Sequence, residues 1–256
     1  MATIFFTGFP GFLGSELLPR VLARRPGDRA RCLVQPRFAA LARARAEALQ
    51  ARLPELRGRI ELVEGDLTRP GLGLDGAGAA EVVELYHLAA VYDLMVPREV
   101  GLAVNVEGTR QVLAFARGCG RLERLHYVST CYVSGRHDGV FLETDLEKGQ
   151  AFNNFYEETK YLAEVEVRAA MAAGLPATVY RPAITVGDSR TGATQKYDGP
   201  YFVLQWLLRQ PAWAVMPVVG DRTCQVNVVP SDFVVGAIDA LAARPGRRWP
   251  RPRSRW

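Results

Sequence analysis

The chain has 256 residues, 48% hydrophobic and 23% charged, which suits one α/β domain whose core needs neither disulfides nor metal ions. The net charge of +5 comes from residues 244–256, which hold six arginines and no acid. Without those six, the 32 basic residues fall to 26 against 27 acidic ones, so the charge gives no indication of nucleic-acid binding. Four scattered cysteines without a CxxC pair, and no signal peptide or apolar stretch of about 20 residues, predict a reduced cytoplasmic protein without a metal site or membrane span.

Predicted strands and helices alternate along the first two-thirds of the chain. Continuous apolar runs predict the strands Thr3–Thr7, Arg31–Val34, Ile60–Val63, Leu85–Ala90, Leu125–Ser129 and Ala177–Arg181. Apolar residues at helical spacing predict the helices Phe12–Ala23, Phe38–Leu53, Asn105–Arg117 and Phe152–Ala172. This alternation predicts an α/β fold, a doubly wound parallel sheet of the Rossmann type.

A looser pattern follows and predicts a small C-terminal substrate-side region at about 183–230. The elements expected from there on are a helix near Tyr201–Arg209, a strand near Gln225–Val229 and a helix at Ser231–Ala243. We therefore expect one domain over residues 1–243 and a disordered basic tail over residues 244–256.

A glycine-rich turn joins the first predicted strand to the first predicted helix. Its glycines are spaced three apart, which permits a tight turn and lets a phosphate approach the backbone at the helix N-terminus. The turn therefore predicts a dinucleotide site, with a purely structural glycine turn as the alternative. The candidate cofactor-binding residues of this turn are Thr7, Gly8, Phe9, Gly11, Phe12, Leu13 and Gly14.

The end of the second predicted strand indicates which dinucleotide is bound. An acidic residue about 20 positions after the turn would hold the ribose hydroxyls of NAD, but Gln35 stands there and Arg37 follows it. A guanidinium pairs well with a 2′-phosphate, so NADP(H) is favoured over NAD(H), although Arg37 could also be a solvated surface residue. Asp66 and Leu67, after the third predicted strand, are placed to meet the adenine; the alternative for Asp66 is a turn cap.

Tyr156 and Lys160 form the candidate catalytic pair. Four residues apart in a predicted helix, they share one face, where an ammonium would stabilise a phenolate and lower the tyrosine pKa. Lys160 is one of three lysines among 29 arginines, which indicates a need for an ammonium at this position. Thr130 follows a strand whose carboxyl end would face a ligand, and its hydroxyl could bind a carbonyl oxygen. A chance YxxxK pair on a helix face and an ordinary turn hydroxyl are the alternatives.

These motifs resemble the extended short-chain dehydrogenases/reductases over about residues 1–243. The resemblance rests on the glycine-rich turn, His87–Ala90, Asn105, the segment Tyr127–Val133 and the Tyr156/Lys160 pair. It implies that Thr130 is the catalytic hydroxyl, Tyr156 the proton donor and Lys160 the residue that binds the nicotinamide ribose. The further cofactor-binding residues that it implies are Ala89, Ala90, Asn105, Arg181, Pro182 and Ile184.

One stretch, Arg181–Gly192, is similar to the fatty acyl-CoA reductase and carrier-protein thioester reductase branch of that family. This resemblance implies that NADPH reduces an acyl thioester, on CoA or an acyl carrier protein, to an aldehyde or alcohol. Cys131 is expected to be a packing residue, since it lacks a nearby base. Members of the branch usually continue past the position of Ala243 with further substrate-side structure, and they commonly dimerise through helices equivalent to Asn105–Arg117 and Phe152–Ala172.

Two other functions remain open from the sequence. The chain could be another extended family member that acts on a ketone, an alcohol or a nucleotide sugar. It could also be a sensor that binds NADP without turnover, although such a sensor needs none of the three candidate catalytic side chains.

Overall fold

The computed structural model describes residues 1–74, 79–195, 197, 199–211, 213 and 226–244. The strands are β1 (Thr3–Thr7), β2 (Arg29–Val34), β3 (Ile60–Glu64), β4 (Val82–His87), β5 (Arg124–Val128), β6 (Ala177–Tyr180), β7 (Ile184–Val186) and β8 (Val228–Pro230). The first six form one parallel sheet in the order β3-β2-β1-β4-β5-β6, and β7 pairs with β8 in a small parallel sheet. The predicted doubly wound sheet is confirmed.

Helices cover both faces of the large sheet. They are α1 (Phe12–Arg24), α2 (Ala39–Arg52), α3 (Arg98–Gly101), α4 (Gly108–Gly118), α5 (Phe155–Ala172), α6 (Pro200–Leu208) and α7 (Ser231–Ala242). Alternate β1 side chains point to opposite faces: Phe6 packs with α1, α2 and α7, whereas Phe5 packs with α4 and α5. Both faces of β1 are buried, as its continuous apolar sequence predicts. Within the described ranges, no helix has the length and apolarity needed to span a membrane.

Several element boundaries differ from the predicted ones. β4 begins at Val82 and ends at His87, where it pairs with the last residue of β1, so residues 88–90 leave the sheet. α5 begins at Phe155 because the Asn154 side chain caps it, accepting a hydrogen bond from the Glu157 N–H at 2.9 Å. A π-helical segment, Leu102–Glu107, joins α3 to α4, so the helix predicted from Asn105 onwards begins earlier.

The C-terminal region lies against the large sheet through α7, which packs on α1. β7 was missed by the sequence prediction because three half-buried residues are too few to show a pattern. The strand predicted near Gln225–Val229 is Val228–Pro230; Gln225 and Cys224 lie outside the described residues. Residues 245–256 also lie outside them, so the predicted tail and domain boundary stay predictions.

Candidate active site

The predicted site residues meet at the carboxyl edge of the large sheet. β1 and β4 are neighbours, but the chain leaves β1 for α1 on one face and continues from β4 to α4 on the other. This reversal opens a crevice beyond the strand ends, which is where doubly wound folds bind ligands. Thr7 ends β1, His87 ends β4, and Thr130 lies two residues after the end of β5.

The glycine-rich turn fits a dinucleotide phosphate. Gly8 has φ +94°, and a Cβ there would lie 2.8 Å from the Ala89 backbone nitrogen. A Cβ on Gly11 or Gly14 would lie 2.7 or 2.5 Å from the Gly8 carbonyl oxygen, so none of the three glycine positions can carry a side chain. Helix α1 follows with no side-chain cap and no acid in its first turn, which leaves its positive end free for an anion.

A buried hydrogen-bonded chain links this turn to the next helix. The Thr7 hydroxyl lies 2.7 Å from His87 Nδ1, and His87 Nε2 lies 3.1 Å from the Thr109 hydroxyl. Because Thr109 donates its own proton to the Asn105 carbonyl, His87 Nε2 donates and Nδ1 accepts from Thr7. Burial lowers the pKa of His87 to about 3, so the imidazole is neutral. His87 thus holds the ends of β1 and β4 together.

Tyr156 and Thr130 come together at the end of β5. The Thr130 hydroxyl is near enough to Tyr156 to lower the pKa of its phenol, and Thr130 Oγ1 accepts a hydrogen bond from the Tyr132 N–H at 3.3 Å. Burial raises the pKa of Tyr156 to about 12, and the nearby Thr130 hydroxyl only partly offsets this rise. The Lys160 ammonium binds other groups, and its expected lowering of the Tyr156 pKa stays a prediction. A phenol with this pKa keeps its proton at neutral pH and can act as a proton donor.

The Lys160 ammonium is buried beneath the same strand end. It donates to Tyr127 Oη at 3.0 Å and to the Val128 carbonyl oxygen at 2.9 Å, and it lies 4.6 Å from the centre of the Tyr127 ring. Burial lowers the lysine pKa to about 8, and Glu164 opposes this effect. An ammonium has three N–H donors, so one remains for a ligand beyond these two partners.

The residues predicted to select NADP(H) cluster beyond β2. Arg37 is exposed, donates to Gln35 Oε1 at 2.8 Å and stacks on Phe38. Asp66 accepts hydrogen bonds from the Thr68 amide and hydroxyl, both at 2.8 Å, as a turn cap would. Partial burial raises the pKa of Asp66, but these bonds outweigh it and the pKa falls below its usual value. Leu67, the next residue, is buried against α4.

Arg45 is a basic residue near the turn that the sequence analysis missed. From α2, its guanidinium donates to the Pro10 carbonyl oxygen at 3.0 Å and to Ser15 Oγ at 3.4 Å, and it also contacts Gln195. An arginine in an Ala/Arg helix carries no sequence signal that separates it from its surface neighbours. The fold therefore brings a second cation to the phosphate-binding turn.

Asn105, in the π-helical segment, holds the loop that follows β4. Its side chain accepts from the Val91 N–H at 2.8 Å and donates to the Val91 carbonyl at 2.9 Å and Thr159 Oγ1 at 3.0 Å. The same loop bonds to the end of β1, where the Ala89 N–H donates to Thr7 Oγ1 at 3.3 Å. Ala89 and Ala90 are thereby fixed beside the glycine-rich turn.

Arg181 follows β6, which lies on the other side of β5 from the glycine-rich turn. Its guanidinium binds the buried Glu164 carboxylate at 2.6 Å and the Asp145 carbonyl oxygen at 2.6 Å. Pro182 accepts a hydrogen bond from the Cys131 N–H, and Ile184 begins β7. The cofactor-binding role of these three residues stays a prediction, and the Arg181 head group has a structural partner instead.

Comparisons with known proteins agree with this architecture. A family model described as "Male sterility protein" matches residues 6–238. A linear gramicidin synthase from Brevibacillus parabrevis is 31% identical over 92% of the chain, and fatty acyl-CoA reductase wat from Drosophila melanogaster is 26% identical over 93%. The terminal R domain from the myxalamid PKS-NRPS pathway is 34% identical over 96% of the chain, with a TM-score of 0.82. The chain spans 5%, 53% and 63% of these proteins, respectively.

Proposed function

The chain belongs to the male sterility protein family, in the thioester-reductase-like branch of the extended short-chain dehydrogenases/reductases, and on that premise we propose that it uses NADPH to reduce an acyl thioester to an aldehyde. The proposal depends on one observation: the Tyr156 phenol lies beside Thr130 just after the end of β5, and the buried Lys160 ammonium binds the carbonyl of Val128, the last residue of that strand. These are the groups that a carbonyl reduction requires.

The chain's own residues would act on the carbonyl oxygen. The hydroxyls of Thr130 and Tyr156 would donate to it and stabilise the negative charge that develops as the carbonyl carbon is reduced. Bound NADPH supplies the hydride. Tyr156 would then transfer its proton to the oxygen, while Lys160 uses its free N–H to hold the nicotinamide ribose. Collapse of the resulting hemithioacetal releases an aldehyde and a thiol, and a second hydride would give an alcohol.

The residues at the end of β2 support NADPH over NADH. Gln35 stands where an acid would hold the ribose hydroxyls of NAD, and Arg37 lies two residues beyond it. The fork-shaped donors of Arg37 suit the 2′-phosphate that distinguishes the two cofactors. Arg45 adds a second guanidinium beside Pro10, at the turn beneath the pyrophosphate that both cofactors share.

The names of the relatives support a thioester substrate carried on CoA or a carrier protein. One relative is a fatty acyl-CoA reductase, and two are parts of peptide or polyketide-peptide assembly lines. The apolar helix α6 supports an apolar acyl group: it has no buried residue and exposes Phe202, Trp206 and Leu208. Its Tyr201 hydroxyl accepts from the Gly187 N–H at 2.8 Å, which fixes the start of this helix to the loop after β7.

A substrate panel tests the proposed function. Acyl-CoAs of several lengths, a carrier-bound acyl group, simple ketones and UDP-sugars would each be incubated with NADPH or NADH, while cofactor oxidation and free thiol are followed together. We expect oxidation of NADPH with thiol release from the thioesters alone. Turnover of ketones or UDP-sugars without thiol release would favour the other family activities, and tight NADPH binding with no turnover of any substrate would favour a sensor.

A further inference from the structure

We propose that Glu164 is a positioning residue that keeps Lys160 in its ammonium form and fixes the strand end carrying Thr130. This inference deepens the proposed function, since it concerns the same site. Glu164 lies on α5, one turn after Lys160 and two turns after Tyr156, so it shares their helix face. Its side chain is fully buried. Because carboxylates are almost never buried without a partner, the groups that bind it are part of its role.

The Glu164 carboxylate joins three elements of the catalytic region. Ser129, immediately before Thr130, donates its hydroxyl proton to Oε2 at 2.6 Å. Arg181, from the end of β6, binds both carboxylate oxygens, with Nη2 2.6 Å from Oε1. Arg168, one turn further along α5, donates from Nε at 3.0 Å. A movement of α5 relative to β5 would break these bonds, so the carboxylate sets the position of Tyr156 relative to Thr130.

The same carboxylate is placed to balance the charge of Lys160. Among the described residues, the titratable groups that interact with the ammonium are His87 from β4, Tyr127 from β5 and Glu164 from α5, and Tyr156 lies next to Tyr127. His87 is neutral, and burial raises the pKa of both tyrosines, so neither carries charge at neutral pH. The anion among the groups that interact with Lys160 is Glu164. Arg168 and Arg181 bind this carboxylate directly and offset part of its negative charge. The negative charge that they do not offset stabilises the Lys160 ammonium.

The protonation state of Lys160 decides whether it can hold a cofactor. Two of its N–H donors are used by Tyr127 Oη and the Val128 carbonyl oxygen. An ammonium has a third donor for a ribose hydroxyl, whereas a neutral amine has only two N–H groups and both are occupied. Because burial already brings the lysine pKa down to about 8, loss of the nearby anion would remove the third donor near neutral pH.

The small number of lysines makes this testable without any enzymatic assay. The chain contains only Lys148, Lys160 and Lys196, so protein labelled with [13Cε]lysine should give three side-chain signals, assigned with K148R and K196R. The pH titration of each lysine signal, followed by NMR, gives a titration midpoint. In the E164Q variant, which keeps the carboxylate's shape but removes its charge, we expect the midpoint of the Lys160 signal to fall by about 1 pH unit. The E164D variant, which keeps the charge, should titrate close to wild type, and NADPH affinity at pH 8 should fall in E164Q alone.

A second variant keeps the test decisive if E164Q does not fold. R168Q removes a partly exposed cation that shares the Glu164 charge, so the Lys160 midpoint should rise, opposite to the effect of E164Q. A general loosening of the site would move both midpoints in the same direction. An unchanged Lys160 midpoint in folded E164Q, or a fall in R168Q, would overturn the inference. If the midpoints shift as expected but no thioester is reduced, the proposed function fails and the role of Glu164 in Lys160 protonation stands.

Discussion

The G14A substitution tests how closely the glycine-rich turn is built. An added Cβ would lie 2.5 Å from the Gly8 carbonyl oxygen, 2.9 Å from the Gly8 carbonyl carbon and 3.2 Å from the Phe9 nitrogen. All three are backbone atoms, so no side chain can rotate away and the turn itself must shift. Overpacking of this kind costs about 1–3 kcal/mol, and we expect G14A to lose about 2 kcal/mol of unfolding free energy. For a chain of this size, that loss lowers Tm by about 4–8 °C.

The displaced turn should also bind NADPH less tightly, and a matched glycine gives the control. If the same 2 kcal/mol were lost from binding, Kd would rise about 30-fold. The control is G236A, inside α7, where a Cβ meets nothing closer than Arg20 Nη1 at 3.8 Å and the helix should gain about 0.5–1 kcal/mol. Urea unfolding and NADPH fluorescence titration measure both quantities. Wild-type stability and NADPH affinity in G14A would refute the steric account of this turn.

Three further predictions concern catalysis, cofactor choice and acid stability. Y156F should lower kcat about 100- to 10,000-fold while NADPH affinity in fluorescence titration stays near wild type, because it removes the proton donor alone; retained turnover would contradict the assignment. R37Q should raise the KM for NADPH about tenfold and leave that for NADH unchanged, whereas R45Q, which loosens the turn beneath the shared pyrophosphate, should raise both; R43Q on the exposed face of α2 is the control. Equal effects of R37Q on both cofactors would exclude 2′-phosphate recognition by Arg37. His87 and His126 are buried with pKa values lowered to about 3, so the unfolded chain binds protons first as pH falls below about 6.5. Each histidine should therefore remove about 2 kcal/mol of unfolding free energy between pH 6.5 and 5. Urea titrations at several pH values measure this loss, and H126Q should roughly halve it. A free energy of unfolding that does not change with pH would disprove the prediction.

Local sequence patterns predict most strands of the sheet. They misplace a strand end where the apolar run continues beyond the last residue that pairs with a neighbouring strand. β1 and the turn after it were predicted because an apolar run and three spaced glycines occur together. The predicted end of β4 was wrong because apolar residues continue through Ala90, whereas the pairing of β4 with β1 stops at His87, opposite the last residue of β1. Neither hydropathy nor spacing records where a neighbouring strand ends.

The site could be predicted only where its residues lie close together in the sequence. Tyr156 and Lys160 are separated by one helical turn, so their shared face follows from spacing. Glu164 looks like a surface residue of an amphipathic helix, and its burial depends on Arg181, 17 positions away in another element. Arg45 was missed for the same reason, since its contact with Pro10 spans 35 positions. Pairings of this kind arise from tertiary packing.

Transfer of a label from cofactor to product shows whether NADPH reduces the thioester carbonyl. NADPH deuterated at C4 on each face in turn would be incubated with an acyl-CoA, and the aldehyde and free thiol would be quantified together. We expect deuterium on the aldehyde carbon from one face only, one thiol for each aldehyde, and neither product in Y156F. Cofactor oxidation without thiol release, or an aldehyde that carries no deuterium from either face, would contradict the proposed function.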